Sequence, residues 1–340
     1  MDSAESPIAP PPAAVLAGHI SGFMRSQTVH VAAKLGIADL LRDGPQSADA
    51  LAAPLGAHAP SLRRLLLALT TIGILVEDDG GRFATTPLGA LLRADHPQSA
   101  RPFAILMGEP MVWRAWGALE ETILTGAPAF DRVFGAPFFA YVAQRPEEAA
   151  VFNAGMTSLS GGHLSAILAN YDFAGCTRIV DVAGGQGALL RGILERYPRA
   201  TGVLCDLPSV VAGAHALKAS AVAGRCEVVG VDMFRAVPAG GDTYLLKMIL
   251  HDWADAEALQ ILRNCRQAIA AGGRLLVCDA VLAPPNAPDP AKWTDLNMLV
   301  LVTGRERTEE EFRGLYAAAG FRLTRTIPAG GLAILEGVPV

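Results

Sequence analysis

The stretch from Arg178 to Pro198, RIVDVAGGQGALLRGILERYP, constrains the fold of this chain most. Its first part is an apolar, β-branched run that predicts a buried strand. A turn of small residues follows at 183–187 (the glycine turn), and apolar residues then recur at helical spacing. Open α/β sheets form ligand sites from such a strand, turn and helix, because glycine lets the backbone approach a ligand and the helix N-terminus faces it. The stretch therefore predicts an α/β domain with a ligand site after its first strand.

The glycine turn differs from two common phosphate-binding motifs. The dinucleotide fingerprint needs a third glycine three residues after the second, where this chain has Leu190. A Walker loop needs Gly-Lys-Ser or Gly-Lys-Thr, which the sequence lacks. Two interpretations stay open, a plain structural turn or a site for a nucleoside-type ligand that needs no pyrophosphate.

Length and composition narrow the class of protein. The 340 residues predict two domains or one large one. A net charge of −5 with scattered basic residues argues against a nucleic-acid surface, and the apolar runs are shorter than the ~20 residues of a membrane-spanning helix. Residues 1–13 lack the basic region of a signal peptide and are predicted to be a disordered tail. Five cysteines without a CxxC pair indicate free thiols in a reducing cytoplasm and no metal site.

Residues 14–100 have the element order of a winged helix. Helical patterns, including one from Leu62 to Ile72, precede two short apolar strands that flank a hairpin signal at 78–81. Helix-turn-helix modules often bind DNA, but the candidate recognition helix carries only Arg63 and Arg64 in an acidic chain. A dimerisation or scaffolding role is favoured, and DNA binding stays an alternative.

Residues 101–170 are predicted to form a helical linker that contributes to an acceptor pocket. Its aromatic and methionine side chains suit a flat apolar ligand, and the alternative is that they pack in the core. Gly161-Gly162 should weaken the helix that begins at Pro146.

From residue 171 to 340, strand and helix patterns alternate, which predicts a parallel sheet with helices on both faces. Further strands are predicted at 202–205, 226–229, 243–249 and 274–279, followed by a β-hairpin from Phe321 to Leu335. Four acidic residues fall at or near strand ends, where such sheets bind ligands. They are Asp181, Asp206, Asp232 and Asp279.

Two of these aspartates suit a nucleoside. Asp206 follows Gly187 by about 20 residues and can accept hydrogen bonds from a ribose diol; the alternative is a helix N-cap ahead of Pro208. Asp232, with Met233 and Phe234, offers a polar group and an apolar wall to an adenine. The alternative there is a loop aspartate beside core residues.

His251 is the candidate general base. Its ordinary pKa lies near neutrality, and it follows a central strand of the predicted sheet. Asp279 and Glu306 are candidates to orient its imidazole, as the third group does in a catalytic triad. The sequence has no G-x-S-x-G motif, which disfavours a serine hydrolase.

Taken together, the sequence resembles the class I S-adenosylmethionine-dependent O-methyltransferases that act on small molecules in plants and in bacterial aromatic-polyketide pathways. The resemblance covers nearly the whole chain after the tail. It rests on the motifs LGIADLLRDGP, LRRLLLALTTIGIL, FNAGM, DVAGGQG, CDLP, GVDMF, LKMILHDW, GGRLLVCD and GRERTEEEF, in this order. The chain departs at Ala183, where the family commonly has glycine, and this puts in doubt the backbone conformation at that position.

The resemblance implies a Rossmann-like methyltransferase sheet over 171–340, preceded by a winged-helix domain that forms an interlocked homodimer. It implies His251 as the base with Asp279 and Glu306 as partners, and no metal. The implied S-adenosylmethionine site comprises Ser160, Gly184, Gly185, Gly187, Asp206, Leu207, Asp232, Met233, Phe234, Lys247, Met248 and Trp253. The candidate acceptor residues, for each of which core packing is the alternative, are Trp113, Phe152, Met156, Asn297 and Met298.

The predicted reaction is methylation of a phenolic or enolic hydroxyl on an aromatic or polyketide-like compound, with S-adenosylhomocysteine as the second product. Three alternatives stay open. The chain could methylate nitrogen, it could be a cofactor-binding relative that hydroxylates or decarboxylates, or, least favoured, it could be a DNA-binding regulator.

Overall fold

The structure is a computed structural model that describes residues 10–340. The predicted tail at 1–13 lies mostly outside the described residues, and the first helix begins near its end, at Pro12. The chain divides into two compact units, one ending at Glu109 and one spanning Pro110–Val340.

The first unit combines short helices with a three-stranded antiparallel sheet. Its helices are α1 (Pro12–Ile20), α2 (Gly22–Leu35), α3 (Ile37–Leu40), α4 (Ala48–Leu55), α5 (Ala59–Thr70), α6 (Pro87–Ala90) and α7 (Arg101–Gly108). Its strands are β1 (Gln46–Ser47), β2 (Leu75–Glu77) and β3 (Arg82–Thr85), in the order β1-β3-β2.

Local hydrogen bonds explain two features of this unit. Ser47 caps α4, because its hydroxyl accepts the N–H of Ala50 at 3.2 Å. Asp78 stabilises the turn between β2 and β3, because its Oδ1 accepts the N–H groups of Gly80 and Arg82, each at 2.9 Å. The predicted hairpin is therefore present. Helix α7 packs against α2, so the unit continues past residue 100, where the sequence placed a domain boundary.

The second unit is built on a seven-stranded sheet. Its strands are β4 (Arg178–Val182), β5 (Thr201–Asp206), β6 (Cys226–Gly230), β7 (Thr243–Lys247), β8 (Arg274–Asp279), β9 (Phe321–Ala329) and β10 (Leu332–Pro339). The order is β6-β5-β4-β7-β8-β10-β9, in which β4 to β8 are parallel and β10 runs antiparallel to both β8 and β9. The prediction of a mainly parallel sheet is confirmed, with all five parallel strands close to their predicted positions.

Helices surround this sheet. They are α8 (Pro110–Trp116), α9 (Leu119–Thr125), α10 (Ala129–Phe134), α11 (Phe138–Ala143), α12 (Pro146–Asn170), α13 (Ala188–Arg196), α14 (Pro208–Val211), α15 (His215–Lys218), α16 (Asp255–Ala268), α17 (Ala291–Leu301) and α18 (Glu309–Ala318). Helix α12 runs through Gly161-Gly162 without a break. Each glycine costs about 1 kcal/mol in a helix interior, and packing of α12 against α13 and β9 offsets that cost.

Side chains that alternate along the strands form two apolar clusters. Leu204 of β5 packs with Leu190 of α13 in one cluster, and its neighbour Val203 packs with Leu262 of α16 in the other. Strands that are buried on both faces in this way are typical of parallel sheets. Among residues 10–340, no helix is long and apolar enough to span a membrane.

Candidate active site

A cavity of about 380 Å³ lies at the carboxyl ends of strands β4, β5, β6 and β7. Helix α12 contributes another wall through Phe152, Asn153, Met156, Thr157 and Ser160. The residues predicted to hold the cofactor all line this cavity except Gly187. The sheet therefore brings together side chains that are far apart in the chain, as the strand-end pattern predicts.

The glycine turn forms the part of the cavity wall that follows β4. A Cβ atom on Gly184 would lie 2.5 Å from the carboxyl group of Asp181, so only glycine fits there. Gly187 lies outside the cavity wall; it has φ +80° and a Cβ atom on it would lie 2.7 Å from Leu217. Gly187 thus shapes the start of α13. Ala183 has φ +53°, a left-handed conformation that is costly for any residue with a Cβ.

Asp206 joins the end of β5 to the glycine turn. Its Oδ2 accepts the N–H of Gly185 at 2.9 Å, and its Oδ1 accepts the N–H of Leu207 at 2.7 Å. Burial raises the pKa of Asp206, and these two hydrogen bonds oppose that shift. Each carboxylate oxygen keeps a lone pair for a ligand, so a structural role and ligand binding are compatible.

Asp181 and Lys247 bring opposite charges to the cavity. Asp181 is 1% exposed, and its Oδ2 has no hydrogen-bond partner among the described residues. Burial raises the pKa of Asp181 to about 7, with the charge of Lys247 acting in the opposite direction. Burial also lowers the pKa of Lys247. An unsatisfied buried carboxylate oxygen is costly, and a hydrogen-bond donor in the cavity would remove that cost.

Aromatic rings form the wall beyond β6. The ring of Trp253 stacks on Phe139, with centroids 5.4 Å apart, and contacts the ring of Phe234 edge to face at 4.7 Å. Asp232 accepts the N–H of Phe234 at 2.9 Å, which shapes the loop that carries this ring. Phe139, from the short helix α11, was not predicted as a site residue.

Sequence reasoning also missed Asn153, Thr157 and Asp252, which line the cavity. Asn153 and Thr157 are four residues apart on α12, beside the predicted residues Phe152 and Met156. Helical spacing alone could have found them, because residues i and i+4 lie on one face of a helix.

His251 lies in a short turn at 250–253 (the histidine turn) that follows β7. The side chain is buried, and its Nδ1 is 2.7 Å from Oε1 of Glu306. Its Nε2 is 3.6 Å from Oδ1 of Asp252. Asp252 lines the cavity, whereas His251 lies behind the cavity wall. In the neutral imidazole, a proton on Nδ1 donates to Glu306 and Nε2 is the acceptor nitrogen.

Three carboxyl groups face this imidazole. Burial alone lowers the pKa of His251, but the charges of Asp252, Glu306 and Asp279 together raise it to about 10. Burial raises the pKa of Asp252 to about 6 and that of Asp279 to about 6. Both carboxyl oxygens of Asp279, and Oε2 of Glu306, lack a hydrogen-bond partner within residues 10–340. The predicted grouping of His251, Asp279 and Glu306 is therefore consistent with the structure, which adds Asp252.

The predicted acceptor residues separate into two groups. Phe152 and Met156 line the cavity. Trp113, Asn297 and Met298 lie outside its wall: Asn297 accepts a 2.8 Å hydrogen bond from the indole of Trp116, and Met298 is buried at 8% exposure. Asn297 therefore has a hydrogen-bonding partner elsewhere, and Met298 is packed in the interior.

Comparison with protein families identifies both parts of the chain. Residues 17–95 match the O-methyltransferase dimerisation domain, and residues 116–322 match the O-methyltransferase domain.

Curated relatives match over nearly the full length. Phenazine O-methyltransferase PhzM of Lysobacter antibioticus is 43% identical over 97% of each chain. The mitomycin biosynthesis 6-O-methyltransferase of Streptomyces lavendulae is 37% identical, over 92% of this chain and 89% of the relative. The 8-amino-8-demethylriboflavin N,N-dimethyltransferase of Streptomyces davaonensis is 39% identical, over 91% of this chain and 90% of the relative.

Solved structures agree with these matches. The structure of LaPhzM has a TM-score of 0.94 at 43% identity and covers 97% of this chain and 100% of that one. CalO1, a methyltransferase in calicheamicin biosynthesis solved with S-adenosylhomocysteine, has a TM-score of 0.84 at 38% identity over 96% and 98%. NcsB1, an O-methyltransferase solved with S-adenosylmethionine and 2-hydroxy-5-methyl naphthoic acid, has a TM-score of 0.78 at 33% identity over 93% and 96%.

Proposed function

This chain belongs to the family of S-adenosylmethionine-dependent O-methyltransferases, and we propose that it methylates a hydroxyl of an aromatic or polyketide-like small molecule with His251 as general base. The observation that carries the proposal is the 2.7 Å contact between His251 Nδ1 and Glu306 Oε1, in a turn whose next residue, Asp252, lines the cavity.

The cavity has the chemistry that S-adenosylmethionine needs. Asp181, with its unpartnered Oδ2, suits the ammonium group of the methionine part, and Lys247 suits the carboxylate. Asp206 suits the ribose diol, and Asp232 with the rings of Phe234 and Trp253 suits the adenine. When bound, the cofactor supplies an electrophilic methyl group on a sulfonium sulfur.

The acceptor class follows from the apolar part of the same cavity. Phe139, Phe152 and Met156 offer flat and adaptable apolar surface. The names of the relatives refer to phenazine, mitomycin and naphthoic acid chemistry. We therefore expect the acceptor to be a planar, multi-ring compound and not an aliphatic alcohol.

His251 removes the proton from the acceptor. In the neutral form of His251, the Nδ1–H is held by Glu306 and the lone pair of Nε2 lies on the side of Asp252. A free phenol has a pKa of about 10, and the carboxylates around His251 raise its pKa to about 10. Only a small fraction of His251 is therefore neutral at pH 7, and kcat should rise with pH as this proton-accepting form becomes more abundant.

The test is a turnover assay with S-adenosylmethionine and a panel of hydroxylated phenazines, naphthoates and benzoates, with their amino analogues. Mass spectrometry should find one S-adenosylhomocysteine for each methyl ether formed. A hydroxylated or decarboxylated product without S-adenosylhomocysteine would contradict the proposal and favour the changed-chemistry alternative.

N-methylation is the second candidate, because one relative of 39% identity is named as an N,N-dimethyltransferase. A neutral amine needs no base to accept a methyl group. Turnover of the amino analogues, unaffected by loss of His251, would favour this candidate.

We also expect a homodimer through the first unit. Its helices α1 and α2 expose apolar side chains, and α2 together with the end of α1 lies in the region that matches a dimerisation domain. They include Val15, Leu16, Ile20, Phe23 and Met24. Light scattering should give twice the chain mass of 35.5 kDa; the mass of one chain would contradict the expectation.

A further inference from the structure

Arg307 is a fully buried cation close to the histidine turn. Its side chain is 0% exposed, and it is the largest completely buried side chain of the described residues. Arginine is almost never fully buried unless it is paired and hydrogen-bonded. Its backbone is fixed as well, because the carbonyl of Arg307 accepts the N–H of Leu282 at 3.0 Å, just beyond β8.

The guanidinium of Arg307 bonds to both ends of the histidine turn. Its Nη1 donates to the carbonyl of Leu250 and its Nη2 to the carbonyl of Trp253, each at 2.8 Å. Its Nε and Nη2 also donate to Oδ1 of Asp255, at 3.0 and 2.8 Å. Leu250 and Trp253 flank His251 and Asp252, so one rigid planar group spans the two residues that stand beside the cavity.

The chain segment that carries Arg307 makes two more contacts with this turn. Glu306 bonds to the His251 ring. Gly304 lies directly against the turn backbone, since a Cβ atom on it would be 1.9 Å from the carbonyl oxygen of His251. The segment 304–307 therefore supports both the imidazole and the backbone that carries it.

We propose that Arg307 is a positioning residue for methyl transfer: its guanidinium fixes the backbone of the histidine turn and thereby sets where His251 and Asp252 stand relative to the acceptor. This rests on the proposed function of His251. Arg307 touches neither the cavity nor the imidazole ring and acts through the turn. A displacement of about 1 Å at a catalytic group can cost roughly 100-fold in rate.

Lysine cannot replace this arginine. An ammonium group keeps the charge but lacks the planar fork that reaches two carbonyl groups at once. The charge also matters, because Arg307 lowers the pKa of Asp279. The other ionisable groups that face His251 are Asp252, Glu306 and, through Asp252 and Asp279, Lys247.

The experiment compares Arg307→Lys and Arg307→Met with Arg305→Met in the full-length protein. Arg305 is the matched control: it lies in the same segment and also pairs with Asp255, but its other partner is Glu311 and it does not bond to the turn carbonyls. S-adenosylhomocysteine binding by calorimetry counts the folded sites, and kcat is expressed per site.

For both Arg307 variants we expect kcat to fall roughly 10- to 100-fold, with S-adenosylhomocysteine affinity within about 3-fold of wild type. Arg305→Met should stay within about 3-fold in both. The variants should separate in pH dependence. Loss of the cation in Arg307→Met favours the protonated form of the His251 cluster and moves the rising limb of kcat to higher pH, whereas Arg307→Lys leaves the limb in place.

Hydrogen exchange of the amides at 252 and 253, with S-adenosylhomocysteine bound, gives a readout that does not need an acceptor. It should accelerate in both Arg307 variants and not in Arg305→Met. Unchanged exchange and kcat in Arg307→Lys would overturn the proposal. Loss of S-adenosylhomocysteine binding in the Arg307 variants would also overturn the proposal, because Arg307 would then support the whole domain. If wild type methylates no acceptor, the proposed function fails, while the exchange result still decides the role of Arg307.

Discussion

Two turns of the same sheet, the glycine turn after β4 and the histidine turn after β7, are held in place in different ways. The glycine turn is held by the adjacent strand, through the hydrogen bond from the N–H of Gly185 to Asp206 at the end of β5. The histidine turn is held by residues about fifty positions further along the chain, Gly304, Glu306 and Arg307.

The difference separates two kinds of structural requirement. The glycine turn needs a backbone path, and only certain residue types allow it, as the clash of a Cβ atom at Gly184 shows. The histidine turn contains ordinary residues and depends on partners that pack against it. The backbone path of the glycine turn forms part of the cavity wall. The partners of the histidine turn hold a buried imidazole among carboxylates. If the two turns act separately, changes in the glycine turn should mainly alter S-adenosylhomocysteine affinity. Changes in the histidine turn should mainly alter kcat.

The largest expected effect comes from removing the imidazole. His251→Ala should lower kcat about 10²- to 10⁴-fold, the contribution of a general base, with S-adenosylhomocysteine affinity within about 2-fold. Steady-state kinetics and calorimetry measure the two quantities. His215→Ala, at an exposed histidine on α15, is the control. Near-normal turnover of a phenolic acceptor by His251→Ala would remove His251 as the base.

Glu306→Gln should change the pH dependence. Glutamine still accepts the Nδ1–H but has no charge, so the pKa of His251 falls and its neutral form is present at lower pH. The rising limb of kcat should move about 1–3 units toward acid. Glu310→Gln, on the exposed side of α18, is the control. If the rising limb of kcat stays at the same pH in Glu306→Gln, that limb does not report the titration of His251.

Glu306→Gln should also change how the free energy of unfolding depends on pH. The folded-state pKa of His251 is raised from its ordinary 6.5 to about 10. The protonated imidazole therefore stabilises the fold fully below pH 6.5, and this contribution is lost as pH rises through about 10. The free energy of unfolding should fall less between pH 7 and 10 in Glu306→Gln than in wild type. An equal fall in both would contradict the shift.

A smaller effect is expected at the glycine turn. Asp206→Asn removes the charge of a carboxylate that accepts backbone hydrogen bonds and is proposed to bind the ribose. Such charged hydrogen bonds are worth about 1.5–3 kcal/mol, so S-adenosylhomocysteine affinity should fall roughly 10- to 100-fold with a much smaller change in kcat at saturation. Asp172→Asn is the control, because Asp172 also accepts a backbone N–H but is exposed. Unchanged affinity would contradict a binding role for Asp206.

The smallest effect is expected at Ala183. Its φ of +53° costs about 1–2 kcal/mol for a residue with a Cβ, and glycine avoids this cost while losing more chain entropy. Ala183→Gly should raise the free energy of unfolding by up to about 1 kcal/mol in denaturant titrations. Ala150→Gly, at an exposed site inside α12, should lower it by about 0.5–1 kcal/mol. A decrease at both positions would mean that Ala183 is not strained.

The sequence predicted the features that depend on local residue type. The bounds of β8 match the prediction of 274–279, and Asp206, Asp232 and Phe234 line the cavity as expected. It could not separate pocket from core. Trp113, Asn297 and Met298 are of the same residue types as side chains that line the cavity, but α8 and α17 place them outside its wall. Arg307 stood in a recognised motif, but its partners Leu250 and Trp253 bond through carbonyl groups, which have no sequence signature.

The order of strands at one edge of the sheet bears on how the chain is made. Strand β10 is synthesised after β9 but lies between β8 and β9. A nascent chain that has already produced β8 and β9 must therefore leave the edge of β8 open until β10 emerges. During that interval β8, which carries Asp279 at its end, exposes unpaired backbone groups that can pair with another chain. The edge of β8 is therefore covered last, after the strands around the glycine turn can already have paired.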